Sequence, residues 1–229
     1  MTGSVAEPVA AGARMYLPDD WYPGGIPSNV VLGRDVYLDS SYGFAAFASE
    51  QMPGLTLGDA CGAYDRATFV VGPRGRVTVG AYTVLNGTYV ICNERVTIGA
   101  HCLLSWGVVI TDSWPGRDTP ALARRAALRA AAADPLRRLP PVNMPRPVVL
   151  EDNVWVGFGA VILPGVTLGR GCIIGCKAIV ERDVSPYAVV VGDPYRMVRV
   201  LEPDDTPDVR AAALRECARA EAQHTDPEP

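Results

Sequence analysis

The stretch SWGVVITDSWPG, residues 105–116, sets a carboxylate, Asp112, between two indoles, Trp106 and Trp114. An aspartate in water ionises near pH ~4 and is a poor proton acceptor at neutrality. Burial beside apolar rings disfavours the charged form, and in that way a carboxylate becomes a general base. An aspartate at the entry to a loop also caps a turn with its own side chain, so the sequence leaves both roles open for Asp112. Histidine, the more usual base, occurs only as His101 and His224. Nothing beside His101 in the sequence supplies a carboxylate to orient its ring, which points to a structural residue, and His224 lies in a polar tail without an evident role. The cysteines, Cys61, Cys92, Cys102, Cys172, Cys176 and Cys217, form no C-x2-C pair. Neither a zinc site nor a disulfide framework is implied, and no metal is expected.

The element that must hold these residues has a period of six. From Leu150 the chain divides into LEDNVW, VGFGAV, ILPGVT, LGRGCI, IGCKAI and VERDVS. The first column is always aliphatic. The fifth, Val154, Ala160, Val166, Cys172, Ala178 and Val184, is small or medium and apolar. Helices repeat near 3.6 and half-buried strands at 2, so neither explains the pattern. Short parallel strands wound into a β-helix do, because equivalent residues of successive coils then stack in interior columns. Three hexads per coil place Leu150 over Leu168 and Val156 over Ile174. Glycines and Pro164 in the other columns fit corners that need unusual or preset φ.

The period extends upstream through LGRDVY, LGDACG, VGAYTV, LNGTYV, IGAHCL and LSWGVV, so the coil covers most of residues 30 to 185. The step from Leu85 to Leu104 is one residue too long, which predicts a bulge in ICNERVT. Cys102 and Cys172 fall on inward columns as small core residues. Residues 40–56 blur the hexads, and Tyr42, Phe44 and Phe47 there either line a pocket or close the first coil.

The stretches NVWVGFGAVILPGVTLGRGCIIG and VVVGDPYRMVR resemble the hexapeptide-repeat acyltransferases, close to the galactoside, maltose and xenobiotic O-acetyltransferase branch, over roughly residues 75 to 200. The resemblance implies an all-β fold: a left-handed parallel β-helix with a helical loop excursion and a C-terminal helix. It also implies a homotrimer with clefts between subunits in which acetyl-CoA, or another acyl-CoA, meets a small acceptor such as a sugar. The expected organisation is an N-terminal extended segment (1–29), the β-helix (30–200, excursion 111–148), and a C-terminal helix and tail (201–229).

Site residues follow from the same resemblance. Asn86 matches the asparagine that stabilises the oxyanion, although a turn asparagine that bonds its own backbone would look the same. Asn93 matches an acidic residue that contacts the acceptor, and Trp114 or Pro115, depending on a one-residue gap, stands where the family carries its histidine. Asp112 is the nearest substitute base. Trp155, Phe158, Gly159, Gly175 and Cys176 match the wall that holds pantetheine, with packing an equal reading of Trp155. Arg182, Arg196 and Arg199 match or neighbour the positions that hold CoA phosphates and adenine, a task suited to the planar guanidinium fork. With the histidine missing, a catalytically inactive relative acting as a binding or structural trimer is the alternative to an acyltransferase.

Within the excursion, Thr119 and Pro120 predict a helix start and Asp134-Pro135 its end, with Arg124, Arg125 and Arg129 on a solvated face. Thr206 and Pro207 repeat that start ahead of a helix expected to cover the last coil. The chain of 229 residues has 48% hydrophobic residues and a net charge of −4, enough for one core and without a basic footprint for nucleic acid. No apolar run is long enough to cross a membrane and no leader pattern opens the chain, so a soluble cytoplasmic protein is expected.

Overall fold

The structure is a computed structural model that describes residues 14–114, 120–134 and 144–203, together with 206–209, 211–212 and 215. Short strands wind into a three-sided parallel prism. Face one runs from Val30–Leu32 to Thr167–Leu168 in six strands, face three from Thr68–Val71 to Ile179–Val180 in five. Face two has eight strands, from Tyr37–Leu38 to Arg196–Val200. The expected stacking is found: Leu150 pairs with Leu168 and Val156 with Ile174. All four are essentially without solvent exposure, as are Val154, Ala160, Val166, Cys172 and Ala178 from the fifth column. Burial of these columns is the main stabilising term, at about 1.5–3 kcal/mol per aliphatic side chain.

Two kinds of corner residue explain the remaining columns. At the corner between faces one and two, Ala60, Tyr82, His101 and Asn153 all take φ between +53° and +59°. His101 is therefore a turn residue, and its ring stacks on Tyr82 at 5.1 Å. The glycines of the second column answer a different demand from the expected one. A Cβ on Gly99 would stand 2.6 Å from the Asp152 nitrogen of the next coil. Close approach of successive coils, rather than φ, excludes a side chain there.

The extra residue between Leu85 and Leu104 is the sum of two changes. The passage from Val90 to Ile98 is two residues longer than its stacked equivalent from Ile162 to Leu168, and the corner from Leu85 to Val90 is one residue shorter than that from Val156 to Ile162. In the blurred stretch, Phe44 is buried and stacks on Phe69 at 5.5 Å, with Phe47 edge-on against it. Those two close the coil. Tyr42 instead joins Trp21 and Tyr22 on the surface.

Each end is covered. Residues 14–26 cross the first coil, where Met15 and Ile26 exchange backbone hydrogen bonds of 3.0 and 2.7 Å and Ile26 is fully buried. Asp20 fastens this strap to the prism: its carboxylate accepts from the Ser40 hydroxyl (2.7 Å), the Ser41 amide (2.7 Å) and hydroxyl (2.5 Å), and the Tyr22 amide (3.1 Å). At the other end, the last parallel strand of face two, Ala188–Val191, is covered by the antiparallel strand Arg196–Val200. A strand therefore shields this edge, and the helix expected to cover the last coil lies largely outside the described residues. Thr206 does begin a helical turn, its hydroxyl accepting from the Val209 amide at 3.3 Å, and the described part of that turn is largely exposed.

Candidate functional site

The excursion leaves the third corner, between faces three and one. Helix α1, Ala121–Ala133, follows Pro120, which stands at the cap position instead of the first helical turn; Thr119 lies outside the described residues. No residue of α1 is buried, so the solvated reading of Arg124, Arg125 and Arg129 holds.

At the mouth of this loop Asp112 has no solvent exposure. Its carboxylate accepts from the amides of Asn93 (2.9 Å to each oxygen), Glu94 (2.7 Å) and Arg95 (3.0 Å). Oδ2 is thus taken up by the turn of the coil beneath, with Oδ1 sharing the Asn93 amide, and the geometry is that of the turn cap. Trp106 is not beside it. One third of a coil separates the two, so Trp106 lies at the second corner, between faces two and three, with its indole N–H on Asp65 Oδ2. Asn93 is tied into the same third-corner network, its side-chain amide donating to Ser113 Oγ at 2.7 Å, while Trp114 is half exposed beside it.

Asn86 ends the strand Val84–Asn86 at the second corner, away from that network. Among the described residues its side-chain amide bonds no backbone group, so its donors are free. The same corner continues through Trp106, whose carbonyl accepts from the Gly159 amide at 2.9 Å, and Phe158, whose carbonyl accepts from the Lys177 amide at 2.8 Å. Asn86, Phe158, Gly159, Gly175 and Cys176 therefore share one edge of the prism. Trp155 stands on the outer surface of face two, 46% exposed, and Phe158 is 52% exposed, so neither is spent on packing the interior. Arg196 and Arg199 lie exposed on the final strand of face two. Arg182 sits apart, at the third corner, over the Tyr195 ring at 5.6 Å and 3.8 Å from Glu181.

A cavity of about 590 Å³ opens on the second corner just beyond Asn86. It is lined by the aromatic Trp21, Tyr89 and Trp106, the acidic Asp39 and Asp65, and Ser40, Arg66 and Gly87. Apart from Trp106, which the sequence set beside Asp112, none of these residues stood out as a site residue in the sequence. The one available signal was the stacking of Asp65, Gly87 and Trp106 in consecutive coils, obscured because those coils differ in length. Among the described residues no three His, Cys, Asp or Glu side chains converge as a metal site, and no helix is long and apolar enough to cross a membrane.

Comparison with known proteins agrees with the repeat. Residues 147–182 match the family described as bacterial transferase hexapeptide (six repeats). Over 58 residues the chain is 45% identical to a chloramphenicol acetyltransferase of Agrobacterium fabrum, a match covering 25% of this chain and 28% of that protein. The curated relatives are thus matched over about a quarter to a third of their length. Among solved structures, a hexapeptide-repeat acetyltransferase from Vibrio cholerae in complex with acetyl-CoA superposes with a TM-score of 0.51 at 24% identity, over 70% of this chain and 75% of that one. AntD, an N-acyltransferase from Bacillus cereus, in a mutant form with dTDP and coenzyme A, gives 0.56 at 18% identity, over 81% and 91%. The fold is the left-handed parallel β-helix expected from the repeat.

Proposed function

We propose that this protein is an acyl-CoA-dependent acyltransferase, with acetyl-CoA as donor, acting on a hydroxyl or amine of a small acceptor such as a sugar. The observation that carries this reading is the continuous second corner. It joins the free amide of Asn86 to the glycine-rich backbone at Phe158–Gly159 and Gly175–Cys176, where the resemblance puts pantetheine. In the reaction, the acceptor O–H or N–H attacks the thioester carbonyl carbon and the carbonyl electron pair moves onto oxygen. Asn86 donates to that oxyanion, a role worth about 2.7–4 kcal/mol for such a donor. Collapse breaks the C–S bond, and the leaving thiolate takes the proton lost by the acceptor. An ester or amide and free CoA result.

Asn86 and the group formed by Asn93, Asp112 and Trp114 occupy different corners of one prism. A second copy packed alongside would bring one corner of each together, which supports a homotrimer with its sites between subunits. Arg196 and Arg199 are assigned to the CoA phosphates, where a charge-assisted fork is favoured over a single donor, whereas Arg182, apart at the third corner, is left out of that assignment. Calorimetry tests the donor: CoA at millimolar concentration should give a saturable heat, and Arg196→Ala with Arg199→Ala should weaken it. No heat, or an unchanged affinity in the double variant, contradicts the assignment. The full burial of Asp112 and its use as a cap for three backbone amides favour a second reading, a binding trimer without turnover, because the loop mouth then presents no exposed base.

A further inference from the structure

We infer that the cavity at the second corner is a recognition site for a ring that carries a protonated amine, an amino sugar or aminocyclitol. Its volume of about 590 Å³ falls within the ~300–1,000 Å³ of small-molecule sites. Trp21, Tyr89 and Trp106 keep 65, 48 and 49% of their surface exposed, so three aromatic side chains offer surface around one hollow, although the Trp21 ring also packs on Tyr42 at 5.3 Å. A flat apolar ligand would be served by those faces alone. The acidic side calls for more.

Asp39 and Asp65 line the cavity together, and Arg66 at the rim offsets only one of the two charges. Asp39 Oδ2 accepts from the Asp65 amide and Asp65 Oδ2 from the Trp106 indole. The Tyr37 hydroxyl also donates to the Asp39 carboxylate. Since a carboxylate has roughly four acceptor sites, these bonds hold the two lining carboxylates in place and still leave lone pairs, more of them on Asp65 than on Asp39. An ammonium group uses both features at once. It donates charge-assisted hydrogen bonds to the carboxylates, and it is attracted by the faces of the indoles. A neutral polyol engages the acceptors more weakly, and an anion is repelled.

The position gives the cavity its use, resting on the acyltransferase reading above. Gly87, which lines it, is the residue next to Asn86, so a ring bound here lies beside the oxyanion donor. The ammonium held by Asp39 and Asp65 is protonated and is not the nucleophile; another group of the same ring receives the acyl chain. Asp20, the neighbour of Trp21, pins this part of the N-terminal strap to Ser40 and Ser41 and so helps to hold Trp21 at the cavity. Asp20 is thus a positioning residue for one wall. A methyl group on Gly87 would stand 3.3 Å from the Asp65 carbonyl and 3.5 Å from the Trp106 ring, inside the space the ligand needs.

Ligand-observed NMR with glucosamine and glucose, without any acyl-CoA, tests the site apart from turnover. Glucosamine should bind about ten-fold or more tightly than glucose while its amine is protonated, and the preference should vanish at a pH where it is neutral. Asp65→Asn and Trp106→Ala should each abolish the preference, with a parallel CoA titration confirming that the variants are folded. Equal binding of the two sugars, no binding of either, or a preference that survives Asp65→Asn overturns the inference. Glucosamine binding in a protein that fails to bind CoA would leave the cavity assigned and remove the acyltransferase reading; the reverse outcome would remove the cavity alone.

Discussion

Substitution of Asp112 separates an anchor from a base. The fully buried carboxylate holds three amides of the neighbouring turn, from Asn93, Glu94 and Arg95. Asp112→Ala leaves those donors without acceptors in a dry site. At about 1–3 kcal/mol per orphaned group, and less than additive because the turn relaxes as a unit, the loss comes to about 3–5 kcal/mol. In a chain of this size that lowers the melting temperature by roughly 6–20 °C. Asp112→Asn is milder. Oδ2 carries all three amides whereas Oδ1 shares only that of Asn93, so an amide oxygen placed at Oδ2 keeps most of the bonds. Loss of the charge then costs about 1–2 kcal/mol, a few degrees. Thermal unfolding and thiol release, measured on both variants well below their melting points, give the answer. A base would show the opposite pattern, with Asp112→Asn melting like the wild type while losing about 10²- to 10⁴-fold in rate. That result refutes the anchor.

The strap and the thiols give further tests. Burial alone would raise the Asp20 carboxyl, but hydrogen bonds from Ser40, Ser41 and Tyr22 outweigh it and hold the group well below the usual carboxylate range. Its stabilisation is complete above about pH 4–5 and is lost as pH falls towards the folded value. Asp20→Asn should therefore expose residues 14–25 to proteolysis at neutral pH, as strong acid does in the wild type, and equal protection of wild type and variant would count against the clasp. Desolvation raises the Cys102 thiol to about 11 and the Cys172 thiol to about 12. At about pH 8 a maleimide should label Cys176 among the described cysteines and reach Cys61, Cys92, Cys102 and Cys172 only after unfolding; peptide mapping that finds Cys102 labelled in the native protein would contradict their burial.

Interior columns were legible in the sequence because the core repeats. Leu150 and Leu168, or Val156 and Ile174, differ by one coil and face the same packing problem, so one residue type recurs. Chemistry on the surface does not repeat. Trp106 and Asp112 are six residues apart and look like neighbours, yet one hexad is one side of the prism, which carries them to different corners. The cavity was hidden for a related reason: Tyr37, Gly62, Val84 and Leu103 stack at intervals that shrink from coil to coil, so no fixed period aligns Asp65, Gly87 and Trp106. Trp21 comes from the strap, outside the repeat altogether. Asp112 illustrates the remaining ambiguity, since a carboxylate at a loop mouth reads alike whether its partner is a substrate proton or the backbone of the coil beneath.

Release of free CoA thiol from acetyl-CoA, followed with a panel of sugars, amino sugars and aminocyclitols, tests the central claim most directly. The account predicts acceptor-dependent release by the wild type that falls by about 10²- to 10³-fold in Asn86→Ala, while CoA affinity and melting temperature stay unchanged. Absence of release with every acceptor, or release that Asn86→Ala leaves intact, would contradict it.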